Sequence, residues 1–330
     1  MKKIVFGILA STNEHYTEFL EIWIENIKKF KSGVDGHLID FYFIYSEPHI
    51  SKTLIPEYDV CNPNQPMYYH YYSQYNENDS MMDSFLNRSI CLLDQLKSTP
   101  FDYFIRTNLS TLFHLDFLIQ WIQKLPKDNI IAGTQIDKLN SIYTHISGTN
   151  IVLSRDLADF LLLNKEYLLD KSVLDGDDQR ISSLIIENLN VNLLLIKRLD
   201  FVEMYYNNGN SYIPPCLVYQ NCTNDDVDNL FCYRFKTTNR ESDIKYMKML
   251  QQKIYLKNYD PLQFAMDLLI DKNAPYEKFG CSNIDYDKLT RTVFQINAKV
   301  DVVETYHRYK NATFTYLPSI CKTVHHHLNN

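Results

Sequence analysis

Across the 330 residues there is no unbroken apolar run approaching the roughly 20 residues that a membrane-spanning helix needs. Glycine-rich phosphate loops are missing as well. Gly7 stands alone after the first apolar stretch, where a dehydrogenase of the Rossmann type would carry GxGxxG. Cysteine gives no framework either: Cys61, Cys91, Cys216, Cys222, Cys232, Cys281 and Cys321 are odd in number and form no CxxC pair. That pattern fits reduced thiols in a cytosolic setting and not a disulfide scaffold or a zinc site. Basic charge is not in surplus, since 33 Lys and Arg face 40 Asp and Glu for a net −7, so a nucleic-acid-binding face is not expected. The opening apolar run is short, broken by Gly7 and ended by Ser11, which argues against a secretory signal. Without secretion the sequons at Asn87, Asn108, Asn221 and Asn311 carry no meaning. Internal repeats and low-complexity linkers are absent too.

What is there reads as an ordinary globular chain, 45% hydrophobic and 22% charged. Residues 3–10 form a continuous apolar run, the mark of a strand buried on both faces. Residues 17–30 follow with helical spacing, Phe19, Leu20, Trp23, Ile24, Ile27 and Phe30 lining one face. Residues 41–45 give the next strand, so the chain opens strand, helix, strand, which implies a parallel crossover. Prolines 48, 56, 63 and 66 break the following stretch, with residues 67–72 read as an edge strand. A helix is expected over 83–97 and a strand over 101–106. Further on come a helix over 115–125, strands over 129–136 and 150–153, and a helix over 157–163 capped by Ser154 and Asp156. A helix then opens at Asp177 and a strand covers 191–196. Such alternation predicts an α/β fold with a mostly parallel sheet flanked by helices. Later segments are a loop at 207–210, another at Pro214 and Pro215, a strand over 230–236 and a helix over 243–255. Beyond Pro261 helices and a weak strand at 313–317 are expected, with His325 to His327 as a solvated tail.

The strand over 101–106 is the point on which function turns. Its apolar run stops at Arg106, Thr107, Asn108, Ser110 and Thr111, and open α/β sheets bind ligands just beyond the carboxyl ends of their strands. An arginine, an amide and hydroxyls at such a place suit a polar, anionic small molecule. The end of the first strand, Ala10, Ser11 and Thr12, lies beside the end of the second near Ser46. Together they offer groups to a nucleotide base and ribose. Arg88, early in the helix over 83–97, is a candidate for a diphosphate. So are Arg234 and Lys236, which share one strand face. Asp177 and Asp178 open a helix after Gly176, where acidic residues also serve the helix dipole.

In this order the blocks resemble a GT-A glycosyltransferase, near the β-1,3-galactosyltransferase and Fringe-type group. Residues 101–110 stand where that family has a strand ending in DxD. Ser147 and Gly148, with Ser154, stand where it has a Ser-Gly-x-x-x-x-x-Ser block. Asp175 to Asp178 stand for its acidic pair at a helix start. The likeness covers about residues 1–255, the expected nucleotide-sugar-binding catalytic domain, and leaves 256–330 as a mainly helical C-terminal extension. Asn108, Leu109 and Ser110 replace the DxD, and the Arg-Thr-Asn-Leu-Ser form also resembles uncharacterised proteins of microbes and large DNA viruses. A hard divalent cation wants carboxylates. The resemblance, so altered, implies transfer of a sugar from a nucleotide-sugar to a glycan, glycoconjugate or protein acceptor with weak or no metal dependence. No cofactor is required; Mn2+ or Mg2+, if any, would sit near Asn108 and Ser110. The donor site would draw on Ala10, Ser11, Thr12, Ser46, Arg88, Arg106, Thr107, Asn108, Ser110, Ser147, Gly148, Arg234 and Lys236. An inverting enzyme would use Asp178, with Asp177 next, to take the acceptor's proton. The setting would be the cytoplasm, of a host or a virus factory if the chain is viral. The competing reading is a catalytically inactive sugar- or nucleotide-binding scaffold on the same fold. A nucleotidyltransferase fits less well, because paired metal-binding carboxylates and a Gly-rich basic loop are both missing.

Overall fold

The first apolar run is β1 (Ile4–Leu9), six residues buried without interruption, as a strand covered on both faces must be. The structure, a computed structural model, describes residues 1–47, 52–59, 62–74, 81–137, 144–170, 176–196, 198–205, 212–220, 231–236, 240–256 and 259. These fall in two compact units: residues 1–136 with 143–196, and residues 137–142 with 197–330.

In the first unit β1 passes through α1 (Thr17–Lys31) to β2 (Ile39–Glu47), which pairs with it in parallel. α1 buries Phe19, Ile22, Trp23, Asn26, Ile27 and Phe30. Leu20 and Ile24, expected on that face, are only half-buried. Residues 67–72 are not an edge strand. They belong to β4 (Asn62–Gln74), which pairs in parallel with β2 and antiparallel with β3 (Thr53–Asp59). β3 is the edge, and Pro56 within it is tolerated because an edge strand can turn a missing N–H outward.

The chain returns through α2 (Met81–Gln95) to β5 (Tyr103–Asn108), then to β6 (Thr111–Phe113) and α3 (Leu115–Lys124). After these come β7 (Ile130–Gly133), β8 (Gln135–Asp137), β9 (Thr144–Ile146) and β10 (Asn150–Ser154). α4 (Arg155–Leu163), α5 (Lys165–Leu168), α6 (Asp177–Asn188) and β11 (Asn192–Leu195) complete the unit. Its sheet has eight strands in the order β11-β7-β10-β5-β1-β2-β4-β3. Only β10 and β3 run against the rest, so the sheet is mixed and mostly parallel, as expected. Ser154 precedes α4 with extended backbone but caps nothing with its side chain. Its hydroxyl accepts from Ile130 N and donates to Asp156 Oδ1, while Asp156 Oδ2 accepts from Asn129 N. Both residues therefore tie α4 to β7 instead of capping the helix.

The two faces of this sheet are filled differently. On one, Phe6 packs against Trp23, Phe41 and Phe113, and Phe30 packs edge-on to Phe41. On the other, Val5, Ile44, Phe104, Ile131 and Leu153 of the sheet meet Leu86, Ile90 and Leu93 of α2, Leu157 and Leu161 of α4, and Ile181 and Ile185 of α6. β1 to β2 to β4 steps outward on one side of β1, whereas β5 pairs on its other side. The strand order thus reverses between β1 and β5, the kind of crevice in which such sheets bind ligands.

In the second unit β12 (Arg198–Tyr205) pairs antiparallel with β13 (Tyr212–Gln220) and parallel with β14 (Cys232–Lys236), followed by α7 (Arg240–Lys253). Pro214 and Pro215, expected in a loop, lie inside β13. They fall where its register against β12 shifts between Val202 and Met204, a break in the ladder that accommodates residues lacking an N–H. The loop at 207–210, the helices beyond Pro261, the strand at 313–317 and the tail His325 to His327 lie outside the described residues. So does the 256–330 extension, except for Leu256 and Tyr259.

Candidate active site

Parity along β5 decides what its polar end can do. Phe104 belongs to the core on the α2 and α6 side of the sheet, so Arg106, two residues on, points the same way. It does not reach solvent: Arg106 is 2% exposed and forms an ion pair with Asp177 at the start of α6, itself 6% exposed. The same guanidinium donates through Nη1 to the carbonyl of Gly148. The expectation that Arg106 meets a ligand phosphate is therefore corrected, because its charge is answered inside the protein. Burial pushes the Asp177 carboxyl up from its ordinary value, Arg106 holds it back, and neighbouring Asp178 adds to the rise. Arg106 Nε is buried without a hydrogen-bond partner.

Thr107 faces the opposite way, is fully buried, and donates from its hydroxyl to Thr149 O at 2.6 Å. Asn108 and Ser110 are half-buried at the strand's end. The turn that carries them is held from behind, for Trp23 Nε1 of α1 donates to Leu109 O at 3.0 Å and Asn26 Nδ2 to Phe113 O at 3.2 Å. Nothing in the local sequence of the turn announces this support. The available signal was a buried Trp in α1, whose indole N–H must find an acceptor.

Asp178 is half-buried. Its Oδ2 accepts from the Gly148 amide at 2.9 Å and its Oδ1 from its neighbour Gln179 N at 3.0 Å. Gly176, just before α6, gives its own N–H to Gln179 Oε1 at 3.1 Å. Glycine suits position 148, because a Cβ would run into Arg106 Nη1 and lie 3.2 Å from Asp178 Cβ, displacing the guanidinium from its place. Ser147 is buried, its hydroxyl 3.0 Å from that of Thr149. One turn along α6, Ser182 donates to Asp178 O at 2.7 Å and accepts from Ile146 N at 3.0 Å, which docks the helix on β9. A polar pair below, Asn150 and Thr134, is linked at 2.7 Å. Thr134 Oγ1 passes the chain of bonds to Ile196 O at 3.0 Å.

At the neighbouring strand ends, Arg88 of α2 is 6% exposed and donates to Ala10 O at 2.7 Å and Ile44 O at 3.4 Å. Burial, then the nearby Arg106, lowers its pKa to about 10, opposed by Asp177, so it stays charged at neutral pH. Two expectations change with this. Arg88 braces the ends of β1 and β2 from beneath instead of presenting a guanidinium to solvent. Ala10 has no N–H to offer a base, since that group goes to Ile44 O at 2.9 Å, and its carbonyl already accepts from Arg88. Ser11 and Ser46 are half-buried and Thr12 is exposed. The structure thus brings together Arg106, Asp177, Gly148 and Asp178, with Arg88 near enough to feel the charges of Arg106 and Asp177, and Asn108 and Ser110 follow Arg106 at the strand's end. Arg234, half-buried, and Lys236, exposed, belong to β14 of the second unit.

Asn108 and Ser110 supply neutral oxygens, and the nearest buried carboxylate, Asp177, is committed to Arg106; Mg2+ and Mn2+ want carboxylate oxygens. Among the described residues no three His, Cys, Asp or Glu side chains converge on a possible metal position, and no helix is long and apolar enough to cross a membrane.

No protein-family model and no curated protein sequence matches the chain. Among solved structures, a glycosyltransferase involved in the glycosylation of the major capsid of PBCV-1 aligns with 75% of this chain and 99% of its own. The TM-score is 0.44 and the sequence identity 7%. At that distance the likeness decides neither family nor activity, and the functional reading rests on the residues.

Proposed function

We propose that the chain is a glycosyltransferase that moves a sugar from a nucleotide-sugar donor to an acceptor hydroxyl, with inversion, using Asp178 as the base and little or no metal. The observation that carries this is the fixed Asp178 carboxylate beside the reversal of strand order. It stands at the C-terminal end of β5, half-exposed, with one oxygen on the Gly148 amide and the other on Gln179 N–H. In an inverting transfer the acceptor oxygen attacks the sugar's anomeric carbon as the bond to the diphosphate breaks, and a carboxylate takes the hydroxyl proton. Asp178 is the accessible member of the acidic pair; Asp177 is engaged with Arg106. Asn108 and Ser110 are the groups we assign to the donor's phosphates, with Ser11 and Ser46 toward the nucleoside. Arg88, buried below, adds a fixed positive charge to the field there without touching the ligand.

A binding protein without turnover is the second reading, favoured by the internal pairing of the Arg106 charge, the Thr107 hydroxyl and the Ala10 N–H. A thermal-shift panel of nucleotide-sugars in chelator, repeated with manganese, tests the donor site. Ligand at 100 times its dissociation constant stabilises by about 2.7 kcal/mol. The proposal expects a shift in chelator with at least one donor. A shift seen only with manganese contradicts the metal-free site, and no shift with any donor contradicts the whole reading.

A further inference from the structure

Four residues close a ring of contacts at the end of β5. Arg106 pairs with Asp177 and also donates to Gly148 O; the Gly148 amide donates to Asp178 Oδ2 at 2.9 Å; Asp178 follows Asp177 along α6. Both backbone polar groups of Gly148 are therefore gripped, one by the strand and one by the helix. The space a Cβ would take is occupied by Arg106 Nη1 and Asp178 Cβ. Three members of the ring lie inward or are glycine, and the fourth, Asp178, is half-exposed. We infer that the buried Arg106–Asp177 pair is a positioning device, locking the Gly148 turn to the start of α6 so that Asp178 presents its carboxylate in one fixed direction. This rests on the transferase reading for its catalytic meaning, though not for its geometry.

A purely stabilising role is poorly served by this arrangement. Well-packed apolar residues replace buried ion pairs with little or no loss of stability, and here Arg106 Nε is left buried and unpartnered. What an apolar pair cannot do is hold a backbone carbonyl and a helix start at once. Near-attack geometry is unforgiving, a displacement of about 1 Å being worth about a hundredfold in rate.

The test uses the full chain and two variants, Asp177→Asn and the double variant Arg106→Met with Asp177→Leu. The second keeps an apolar, charge-free interior if the first fails to fold. Amide hydrogen exchange is followed at Gly148, with Ile146 as the local control because its N–H bonds Ser182 of the same helix at 3.0 Å. The expected result is a rise in Gly148 exchange of at least about tenfold, to the level seen in Asp178→Ala, while Ile146 stays protected. Turnover in the same variants is expected to fall about a hundredfold in kcat with the donor KM within about twofold. Gly148 protection that survives in the folded double variant overturns the inference. So does loss of Gly148 and Ile146 together, which would make the pair a plain docking contact. A wild type silent toward every donor, yet showing the expected exchange pattern, removes the transferase reading and leaves the positioning role supported.

Discussion

The two faces of the eight-stranded sheet solve the same problem with different materials. On the α1 face Phe6, Trp23, Phe41 and Phe113 exclude water by packing alone, and the polar tips of Trp23 and Asn26 are satisfied by backbone carbonyls. On the α2 and α6 face a mostly aliphatic core, with Phe104 among its members, gives way toward the C-terminal strand ends to Arg88, Arg106 and Asp177, all buried. Hydrophobic contact is non-directional and forgiving of small shifts. Buried charge is neither, since each group must find its partner or lose several kcal/mol. The face that carries the candidate chemistry is thus the one in which geometry is dictated by named pairs.

That contrast breaks most visibly at Arg106. Arg106→Met leaves Asp177 buried without its partner, and the expected loss is about 3–5 kcal/mol in a denaturant titration. A loss under about 1 kcal/mol would show that the pair is not buried in solution. On the opposite face Trp23→Phe should cost less, about 1–3 kcal/mol, from a smaller ring and the lost bond to Leu109 O. Its diagnostic effect is local: amide exchange should rise in the turn carrying Asn108 and Ser110 more than in β1. Uniform loosening would mean that the indole does not support that turn.

The smallest effect concerns acid. His70 of β4 packs beside Phe43, with Nδ1 3.1 Å from Tyr45 Oη, and burial lowers its pKa below the ordinary 6.5, Glu57 opposing. The unfolded chain therefore binds this proton more readily than the folded one. Its contribution is fully present above about pH 6.5, shrinks as pH falls from there, and is gone below the folded-state pKa. His70→Gln should flatten the melting temperature between pH 7.5 and 5 relative to wild type. An unchanged slope would show that His70 does not titrate differently on folding.

Much of this was legible in the residues. Periodicity placed β1, α1, β2, α2, β5, α3, α6 and β11, because each has an apolar pattern that only one kind of element can bury. Proline misled at β3, β4 and β13, where an edge position and shifts of register absorb the missing N–H groups. At the candidate site, the residue types at the end of β5 drew attention to that strand end, and the Ser-Gly and Asp-Asp blocks arrive beside it. Their roles were harder to read. Whether Arg106 faces solvent or Asp177 depends on where α6 begins relative to β5, a contact across 71 residues that no local pattern encodes. The same holds for Arg88 under Ala10, 78 residues away.

The central claim meets its most direct test in a paired measurement on wild type and Asp178→Asn: turnover of a nucleotide-sugar panel, and donor affinity by calorimetry. The account predicts that the wild type turns over at least one donor in chelator. It predicts that Asp178→Asn binds the same donor within about twofold while its kcat falls by about 10²–10⁴-fold. Equal turnover by the variant, or a wild type that neither binds nor cleaves any donor, would contradict it.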